Sequence, residues 1–468
     1  MPLARYILAL GLAFWLSGCS LAPDYVRPAL PTPPTLAPAS GSPPLAELDL
    51  PSLENFFPEP RLKSLLKLAL TENRDLRVAA LNVLAARASF GVARGERLPE
   101  LSLEAVKNVQ GGPDLPTTRD YDLGLGLAFE TDFFGRLKNM SQAAFQRYLE
   151  ADEAARAARL TLVGQLAEAY LETRLGQEEL ALTSRTLANW RAYRAFIEER
   201  LISGQSALLD LERARAQVAR AEAAEAAAAT SLARSEKALD LLTGDLGVKS
   251  LPKALALAAW PRPVLPENVS SLVLLRRPDV LAAERALVAS HADVGAARAA
   301  FFPSLTLTGR YGYMSGQLDE LVGGTNAGWS FAPSLTLPLF AGGRNRANLD
   351  LSEARRSQAV AQYEKTLLVA FQEVAETLAV RPKLAAELKA QRNYLIVQNR
   401  VLELAQNRYQ NGAISYLEVL EAQREAYEAE MAILGALRAQ ILNDVRLYLA
   451  LGGDLGASLI AANLAGAQ

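Results

Sequence analysis

The stretch of helical composition from Arg136 to Ser203 restricts the fold more than any other feature, because it contains no proline. At about 1.5 Å per residue, a continuous helix over this stretch would measure roughly 100 Å. Such a helix is longer than a compact domain is wide, so it is predicted to project from one. Ala-rich runs such as residues 221–229 allow close backbone approach and predict tightly packed helix layers.

The chain consists of two related halves. Leu-Pro-Glu-Leu at 98–101 matches Phe-Pro-Ser-Leu at 302–305, an offset of 204 residues (303 − 99). Gly135-Arg136 then matches Gly343-Arg344 at an offset of 208 residues (343 − 135). The offset changes in the interval that holds the turn-rich residues 111–113, where loop length varies at low cost. The sequence therefore predicts a two-fold internal repeat of a helix, two strands and a long helical hairpin.

The domain order follows from this repeat. Each hairpin is predicted to turn at a glycine, Gly204 or Gly412, and Pro382 predicts a break or kink in the second long helix. Eleven prolines from Pro23 to Pro60 predict an extended tether. The predicted segments are a signal peptide at 1–18, an acylated tether at 19–60, a first repeat at 61–247, an equatorial linker at 248–273, a second repeat at 274–455 and a C-terminal tail at 456–468.

Each half also contains two segments in which apolar and polar residues alternate, as they do in a strand with two different faces. Every odd-numbered residue from Tyr121 to Phe129 is apolar, and the even-numbered residues between them are small or acidic. Tyr311, Tyr313 and Trp329 are placed as an aromatic girdle would be. Strands are predicted at about 100–109, 121–131, 304–314 and 329–339.

Strands of this kind suit a membrane barrel, since about 9–11 tilted residues cross a bilayer. A soluble hairpin on a helical domain would show the same alternation. Four strands cannot close a barrel, because the smallest barrels have about eight, and open sheet edges are not tolerated in lipid. Membrane insertion therefore predicts an assembly of several chains.

The N-terminus resembles that of a bacterial lipoprotein. Arg5 precedes an apolar run at 6–16, which is shorter than the roughly 20 residues of a spanning helix and indicates a signal peptide. The run leads into Leu16-Ser17-Gly18-Cys19, which resembles a lipobox, where cleavage exposes Cys19 for acylation. The alternative is an ordinary cleavage site with an incidental cysteine. Ser20 follows where lipoproteins retained at the inner membrane carry Asp, so the resemblance implies an outer-membrane anchor.

Composition excludes several other functions. Lys and Arg total 49 against 51 Asp and Glu, giving a net charge of −2, so no nucleic-acid partner is predicted. One His and one Cys form neither a zinc site nor an ordinary catalytic triad, so no enzyme activity is predicted, and no cofactor beyond the lipid on Cys19. His291 is interpreted as a packing or surface residue. One His and four Met also leave few soft ligands, which argues against metal efflux.

Five phrases occur in an order and spacing typical of one family. They are Gly-Cys-Ser-Leu-Ala-Pro-Asp-Tyr at 18–25, Glu-Thr-Asp-Phe-Phe-Gly-Arg at 130–136, Arg-Arg-Pro-Asp-Val at 276–280, Ala-Phe-Phe-Pro-Ser-Leu at 300–305 and Pro-Leu-Phe-Ala-Gly-Gly-Arg at 338–344. Over nearly the whole mature chain, the sequence resembles the outer-membrane efflux proteins related to TolC and OprM, particularly their lipoprotein branch.

The resemblance implies an α+β membrane protein that forms a homotrimer. Four transmembrane strands per chain would form a twelve-stranded β-barrel, joined to a long periplasmic α-helical barrel and a small mixed equatorial region that includes 248–273, 381–388 and the C-terminus. The trimer would be a passive duct that docks with a periplasmic adaptor protein and an inner-membrane RND-type pump. The alternatives are the duct of a type I protein-secretion system and a coiled-coil structural lipoprotein without a pore. Four alternating strands of membrane length argue against the latter.

The resemblance also assigns roles at the hairpin tips. Gly204 and Gly412 would lie where the adaptor docks, although both glycines could equally be simple helix terminators. Rings of Glu418 and Glu421 would constrict the entrance in a trimer and attract cations. The predicted gate residues are Asp210, Tyr409, Leu417, Glu418, Glu421 and Arg424.

The resemblance further implies a hydrogen bond between Asp210 and Tyr409 that helps to hold the entrance shut. One detail departs from the family. Ile414 stands where some relatives carry an Arg that pairs with this Asp, so closure is expected to depend more on Leu417. The alternative is a solvated helix face with an ordinary Glu421–Arg424 pair, which would contribute only about 0.3–0.5 kcal/mol.

Overall fold

The computed structural model describes residues 20–35, 50–113, 115–244, 251–266, 269–321 and 327–453. The predicted signal peptide, Cys19 and the predicted tail at 456–468 lie outside these residues. The chain divides into two compact units. The first comprises Met1–Leu30, Leu81–Ala154 and Asp279–Thr366, and the second comprises Pro31–Ala80, Ala155–Pro278 and Leu367–Gln468.

The first unit contains one antiparallel sheet with the strand order β1-β2-β3-β4. The strands are β1 (Glu100–Gly112), β2 (Leu115–Thr131), β3 (Ser304–Ser315) and β4 (Ala327–Thr336). The pairing of β2 with β3, from Thr131 opposite Leu305 to Tyr121 opposite Ser315, joins the two sequence repeats. β4 ends at Thr336 rather than at the predicted 339, and its pairing with β3 ends there, opposite Ser304.

The register separates the residues of the sheet by chemistry. Apart from the register irregularity between Gln110 and Gly112, odd-numbered residues pair with odd-numbered residues throughout the sheet, so each parity occupies one face. The odd face is largely apolar yet exposed, as shown by Trp329, which is 77% accessible. The even face carries every acidic residue of the four strands, namely Glu100, Glu104, Asp120, Asp122 and Glu130, together with one cation, Arg310.

Eight α-helices occur in the described residues, and two of them are very long. In chain order they are α1 (Leu53–Phe56), α2 (Pro60–Glu72), α3 (Arg74–Gly95), α4 (Arg136–Ile202), α5 (Leu208–Thr243), α6 (Pro278–Ala299), α7 (Arg344–Gln410) and α8 (Tyr416–Ala450). Both α4 and α7 contain 67 residues. The predicted break at Pro382 is wrong, since α7 continues through it. Asn443 supports this part of the helix by donating to the Thr377 carbonyl at 3.1 Å.

The backbone reproduces the sequence repeat. Glycines with positive φ stand before α4 (Gly135), at the turn after α4 (Gly204) and after α5 (Gly244). Their counterparts 208 residues later, also with positive φ, are Gly343, Gly412 and Gly452. The same left-handed positions therefore begin and end the helices in both halves.

The predicted tether is packed where the structure describes it. Residues 20–35 form no helix, but Glu284 of α6 accepts hydrogen bonds from the Tyr25 hydroxyl at 2.7 Å and from Arg27 Nε at 2.7 Å. Gly295 lies against the backbone of Ala22, where a Cβ would approach to 2.7 Å. Helix α2 begins at Pro60, one residue before the predicted first repeat, and a missing N–H costs nothing at this position.

The predicted linker at 248–273 is held by side chains of the second unit. The Leu255 N–H donates to buried Glu59 at 3.0 Å, and its carbonyl accepts from Arg174 at 2.9 Å. Tyr170 donates a second hydrogen bond to Glu59. Burial raises the pKa of the Glu59 carboxyl despite these donors. Two short 3-10 helices follow, at Leu257–Ala259 and Ser271–Arg276.

Candidate functional site at the hairpin tips

The two hairpins of the second unit turn in the same way. Gly204 has φ +73° and donates to the Leu201 carbonyl at 3.0 Å, while Gln205 N donates to the Arg200 carbonyl at 2.8 Å. Gly412 has φ +71° and shows the equivalent pair of hydrogen bonds. This is a Schellman ending, which favours glycine for its backbone alone. A Cβ at either glycine would meet no atom within 4 Å, so both turns present open surface.

Three tyrosines join the first hairpin to the second just behind these turns. The Tyr193 ring of α4 stacks on the Tyr416 ring of α8, with centroids 4.6 Å apart and planes at 10°. The ring centroid of Tyr409, on α7, lies 5.7 Å from that of Tyr416 and 6.4 Å from that of Tyr193. The Arg200 guanidinium covers the outer side of the Tyr409 ring at 5.5 Å. These contacts hold the ends of three helices, α4, α7 and α8, together through one aromatic cluster.

A continuous apolar core supports this tyrosine cluster. Tyr416 is only 2% exposed, although it is the first residue of its helix. The core also includes Leu187, Trp190, Ala214, Val218, Ala221, Ala405, Val419, Leu420 and Ala422, with Leu402 and Ile414 packed against it. Ile414, which stands where some relatives carry an Arg that pairs with Asp210, thus makes an apolar contact with the core instead.

Two phenols of the tyrosine cluster, Tyr193 and Tyr416, are shifted further from ionisation than a free tyrosine. Burial raises the pKa of the Tyr193 and Tyr416 phenols, and Tyr409 raises both further. The Asp210 carboxylate also raises the pKa of Tyr416, because a second negative charge beside it is unfavourable. The stacked rings of Tyr193 and Tyr416 therefore pack as neutral groups.

The predicted Asp210–Tyr409 hydrogen bond is not present among the described contacts. Asp210 lies instead 3.7 Å from Arg213, one turn further along α5. The Tyr409 ring contacts the rings of Tyr193 and Tyr416. The acidic group thus has a cation on its own helix.

The remaining gate residues lie on the first turns of α8. Leu417 is 43% exposed, and Glu418 and Glu421 are exposed as well. Arg424 contacts Glu425 at 3.0 Å and Glu428 at 3.8 Å, so the alternative of a Glu421–Arg424 pair is not what the structure shows. Both glutamates thus present their carboxylates outside the core of the single chain.

Sequence reasoning missed Tyr193 and Tyr416, the two stacked residues of the cluster. A signal did exist in the repeat. At the offset of 208 residues, their counterparts are Val401 and Leu208, so the aromatic residues break the internal symmetry at the tip. An asymmetric pair of large aromatic residues in a repeated hairpin indicates a contact between the halves.

A sheet with one apolar and one acidic face, combined with long helical hairpins, defines a channel-forming subunit of the bacterial outer membrane. The chain belongs to the outer membrane efflux protein family, whose family model matches residues 65–245 and 269–453. It is therefore an outer-membrane component of an efflux system, and its long helices extend into the periplasm.

Curated relatives and solved structures agree with this assignment. The chain is 40% identical to the probable outer membrane lipoprotein SilC of Salmonella typhimurium, over 96% of this chain and 98% of that protein. It is 40% identical to the outer membrane protein OprJ of Pseudomonas aeruginosa, over 97% of each chain. Crystal structures of CusC match with a TM-score of 0.86 and 40% identity, over 93% of this chain and 100% of that one. The open state of the MtrE outer membrane channel from Neisseria gonorrhoeae matches with a TM-score of 0.86 and 35% identity, over 93% of this chain and 99% of that one.

Proposed function

We propose that three copies of this chain form a passive exit duct, with a twelve-stranded barrel through which small molecules leave the cell. The separation of charge in the sheet supports this assembly most directly. Its odd face suits lipid and its even face suits water, while β1 and β4 each keep one unpaired edge in the single chain. Unpaired edges are unstable in a bilayer, and four strands are too few to close, so pairing between copies resolves both problems.

The tips are proposed to dock with a periplasmic adaptor, which connects the duct to an inner-membrane RND-type pump. The open surface around Gly204 and Gly412 supports this proposal, because both turns leave room for a partner. The pump would supply the energy, and the duct itself would need no catalytic group.

The cargo of such a duct is set elsewhere in the assembly. Similar proteins include the cation efflux system protein CusC of Escherichia coli and the toluene efflux pump outer membrane protein TtgI of Pseudomonas putida. A passive conduit does not coordinate what it conducts, so the scarcity of His and Met does not argue against cations. We therefore propose small molecules in general as cargo. No described feature favours the type I protein-secretion alternative.

The entrance of the duct is proposed to close at Leu417 and Glu421, whose side chains are exposed on the single chain and would meet their symmetry mates. In planar bilayers, Leu417→Ala should increase single-channel conductance, because it removes apolar bulk from the constriction. Glu421→Ala should lower the preference for cations, because it removes a ring of carboxylates. Reversal potentials in a salt gradient measure this preference.

Glu403→Ala is the matched control for these gate variants, because Glu403 is exposed on α7 but already paired with Arg400 at 2.6 Å. It should leave conductance and selectivity unchanged. Wild-type protein that never conducts would contradict the duct itself. Unchanged conductance and selectivity in a Leu417→Ala, Glu421→Ala double variant would move the constriction elsewhere.

Cys19 is proposed to carry N-acyl and S-diacylglycerol chains that anchor the chain to outer-membrane lipid. The packing of residues 20–27 on α6 supports this, because it holds the start of the mature chain at a defined place. Cells grown with radiolabelled palmitate should label the wild type but not Cys19→Ala, while the variant still forms trimers through its barrel. Label that persists on the variant would refute the assignment.

A further inference from the structure

Two cations interrupt the apolar odd face of the sheet. Lys107 of β1 and Arg119 of β2 are exposed, and no acidic residue of the four strands shares their face. Neither side chain forms an ion pair within the described residues, in contrast to Arg310 on the even face, which pairs with Asp122. An unpaired cation beside hydrocarbon is unfavourable at the centre of a bilayer and tolerated only near its surface.

The register places both cations at the outer edge of the apolar belt. The strand ends at Thr131 and Ser304 lead to the periplasmic helices, so the opposite ends face the outside. From Thr131 to Tyr121 the strand rises about 34 Å, which at a tilt of about 40° gives a height of roughly 25 Å, the height of a barrel belt. Lys107 pairs directly with Tyr121. Arg119 lies two residues before Tyr121 on β2, at the next position on the same face and closer to the outer end of the strand. Both therefore reach the layer of lipid head groups.

The two side chains are arranged to act on one ligand. Lys107 lies opposite Tyr121 and Arg119 lies on the adjacent diagonal, a spacing of about 7–8 Å that long side chains bridge easily. The Lys107 ammonium rests 5.3 Å above the Tyr121 ring, which supports its stem. Ser315 pairs with Tyr121 on the other side and adds a hydroxyl to the same face. The cations of Lys107 and Arg119 and the hydroxyl groups of Tyr121 and Ser315 thus lie on neighbouring positions of one face, near the outer end of the sheet.

We propose that Lys107 and Arg119 bind the phosphate groups of the phosphorylated glycolipid that forms the outer leaflet. Arg presents a planar fork that matches phosphate, and Lys adds a point charge. A bisphosphorylated head group would engage both cations, whereas a phospholipid with one phosphate would engage them singly. The proposal rests on the proposed barrel but not on conduction, so lipid binding and channel activity are measured separately.

Native mass spectrometry of the purified trimer tests this site with defined lipids. Diphosphoryl lipid A should bind more tightly than monophosphoryl lipid A, phosphatidylglycerol or phosphatidylcholine. The Lys107→Gln, Arg119→Gln double variant should lose about 30-fold in affinity for diphosphoryl lipid A, since each cation near a phosphate surface contributes roughly a factor of five. Lys107→Arg should retain binding because the charge is kept.

Arg97→Gln is the matched control, because Arg97 is exposed just before β1 at the opposite end of the sheet. It should leave lipid affinity unchanged. Equal binding of phosphatidylglycerol and diphosphoryl lipid A by the wild type would overturn the proposal without any variant. Undiminished affinity in the double variant would overturn it as well. Normal lipid binding by a trimer that does not conduct would instead contradict only the proposed duct.

Discussion

Gly312→Ala is expected to prevent formation of a stable barrel. Gly312 lies opposite Gly124 at the β2–β3 pairing, and a Cβ there would come within 2.5 Å of the Gly124 Cα and of the Leu123 carbonyl oxygen. Both are backbone atoms, which cannot move aside as a flexible side chain would. Overpacking of this kind costs about 1–3 kcal/mol and more where the backbone is fixed, and a trimer would contain it three times.

Gly328→Ala provides the matched control for Gly312. Gly328 lies directly opposite Gly312 on β4 and on the same even face, but a Cβ there would meet no atom within 4 Å. Heat-modifiable migration on SDS gels measures the trimer directly. The Gly312 variant should appear mainly as monomer, and the Gly328 variant should resemble the wild type. Equal trimer stability in the Gly312→Ala and Gly328→Ala variants would show that the backbone at the β2–β3 pairing shifts to accommodate a Cβ.

Tyr416→Ala is expected to open the hairpin tips. The ring is 2% exposed and stacked on Tyr193, and removal of a buried aromatic side chain typically costs about 3–5 kcal/mol. That loss should weaken the packing of the first hairpin against the second at the tips, where the tyrosine cluster joins them. Conductance in planar bilayers and vancomycin entry into cells should both rise above those of the wild type.

Tyr394→Ala separates this effect from simple loss of an aromatic ring. Tyr394 is exposed on α7, and its hydroxyl donates to Glu425 at 2.9 Å. Its removal should leave conductance at the wild-type value. A Tyr416→Ala trimer that assembles but conducts like the wild type would show that the tyrosine cluster stabilises the hairpins without controlling the entrance.

The sequence predicts those parts of the fold that depend on local periodicity. Alternation identified β2 and β3 as strands with two chemically different faces, and the absence of proline between Arg136 and Ser203 predicted a single long helix. Periodicity gives the face on which a residue lies but not the partner that covers it. The Tyr193–Tyr416 stack, which joins residues far apart in the chain, therefore could not be derived from it.

The misassigned details have a related cause. The proline content from Pro23 to Pro60 predicts an extended backbone, but it does not reveal that Glu284 holds Tyr25 and Arg27. The resemblance implies a hydrogen bond between Asp210 and Tyr409, whereas the structure places the Arg213 guanidinium, one turn along the same helix, 3.7 Å from the Asp210 carboxylate. In both cases a charged side chain, Glu284 or Arg213, provides a contact that the sequence pattern did not predict.

The two 67-residue helices restrict where the chain can tolerate insertions and deletions. One inserted residue would rotate everything beyond it by about 100° around the helix axis and turn packed side chains toward solvent. The spacing of 208 residues is accordingly kept from Gly135 and Gly343 to Gly244 and Gly452. The only shift lies in the hairpins at the cell surface. Insertions are therefore expected to be tolerated in the strand hairpins and to be harmful in the long helices, where the repeat stays in register.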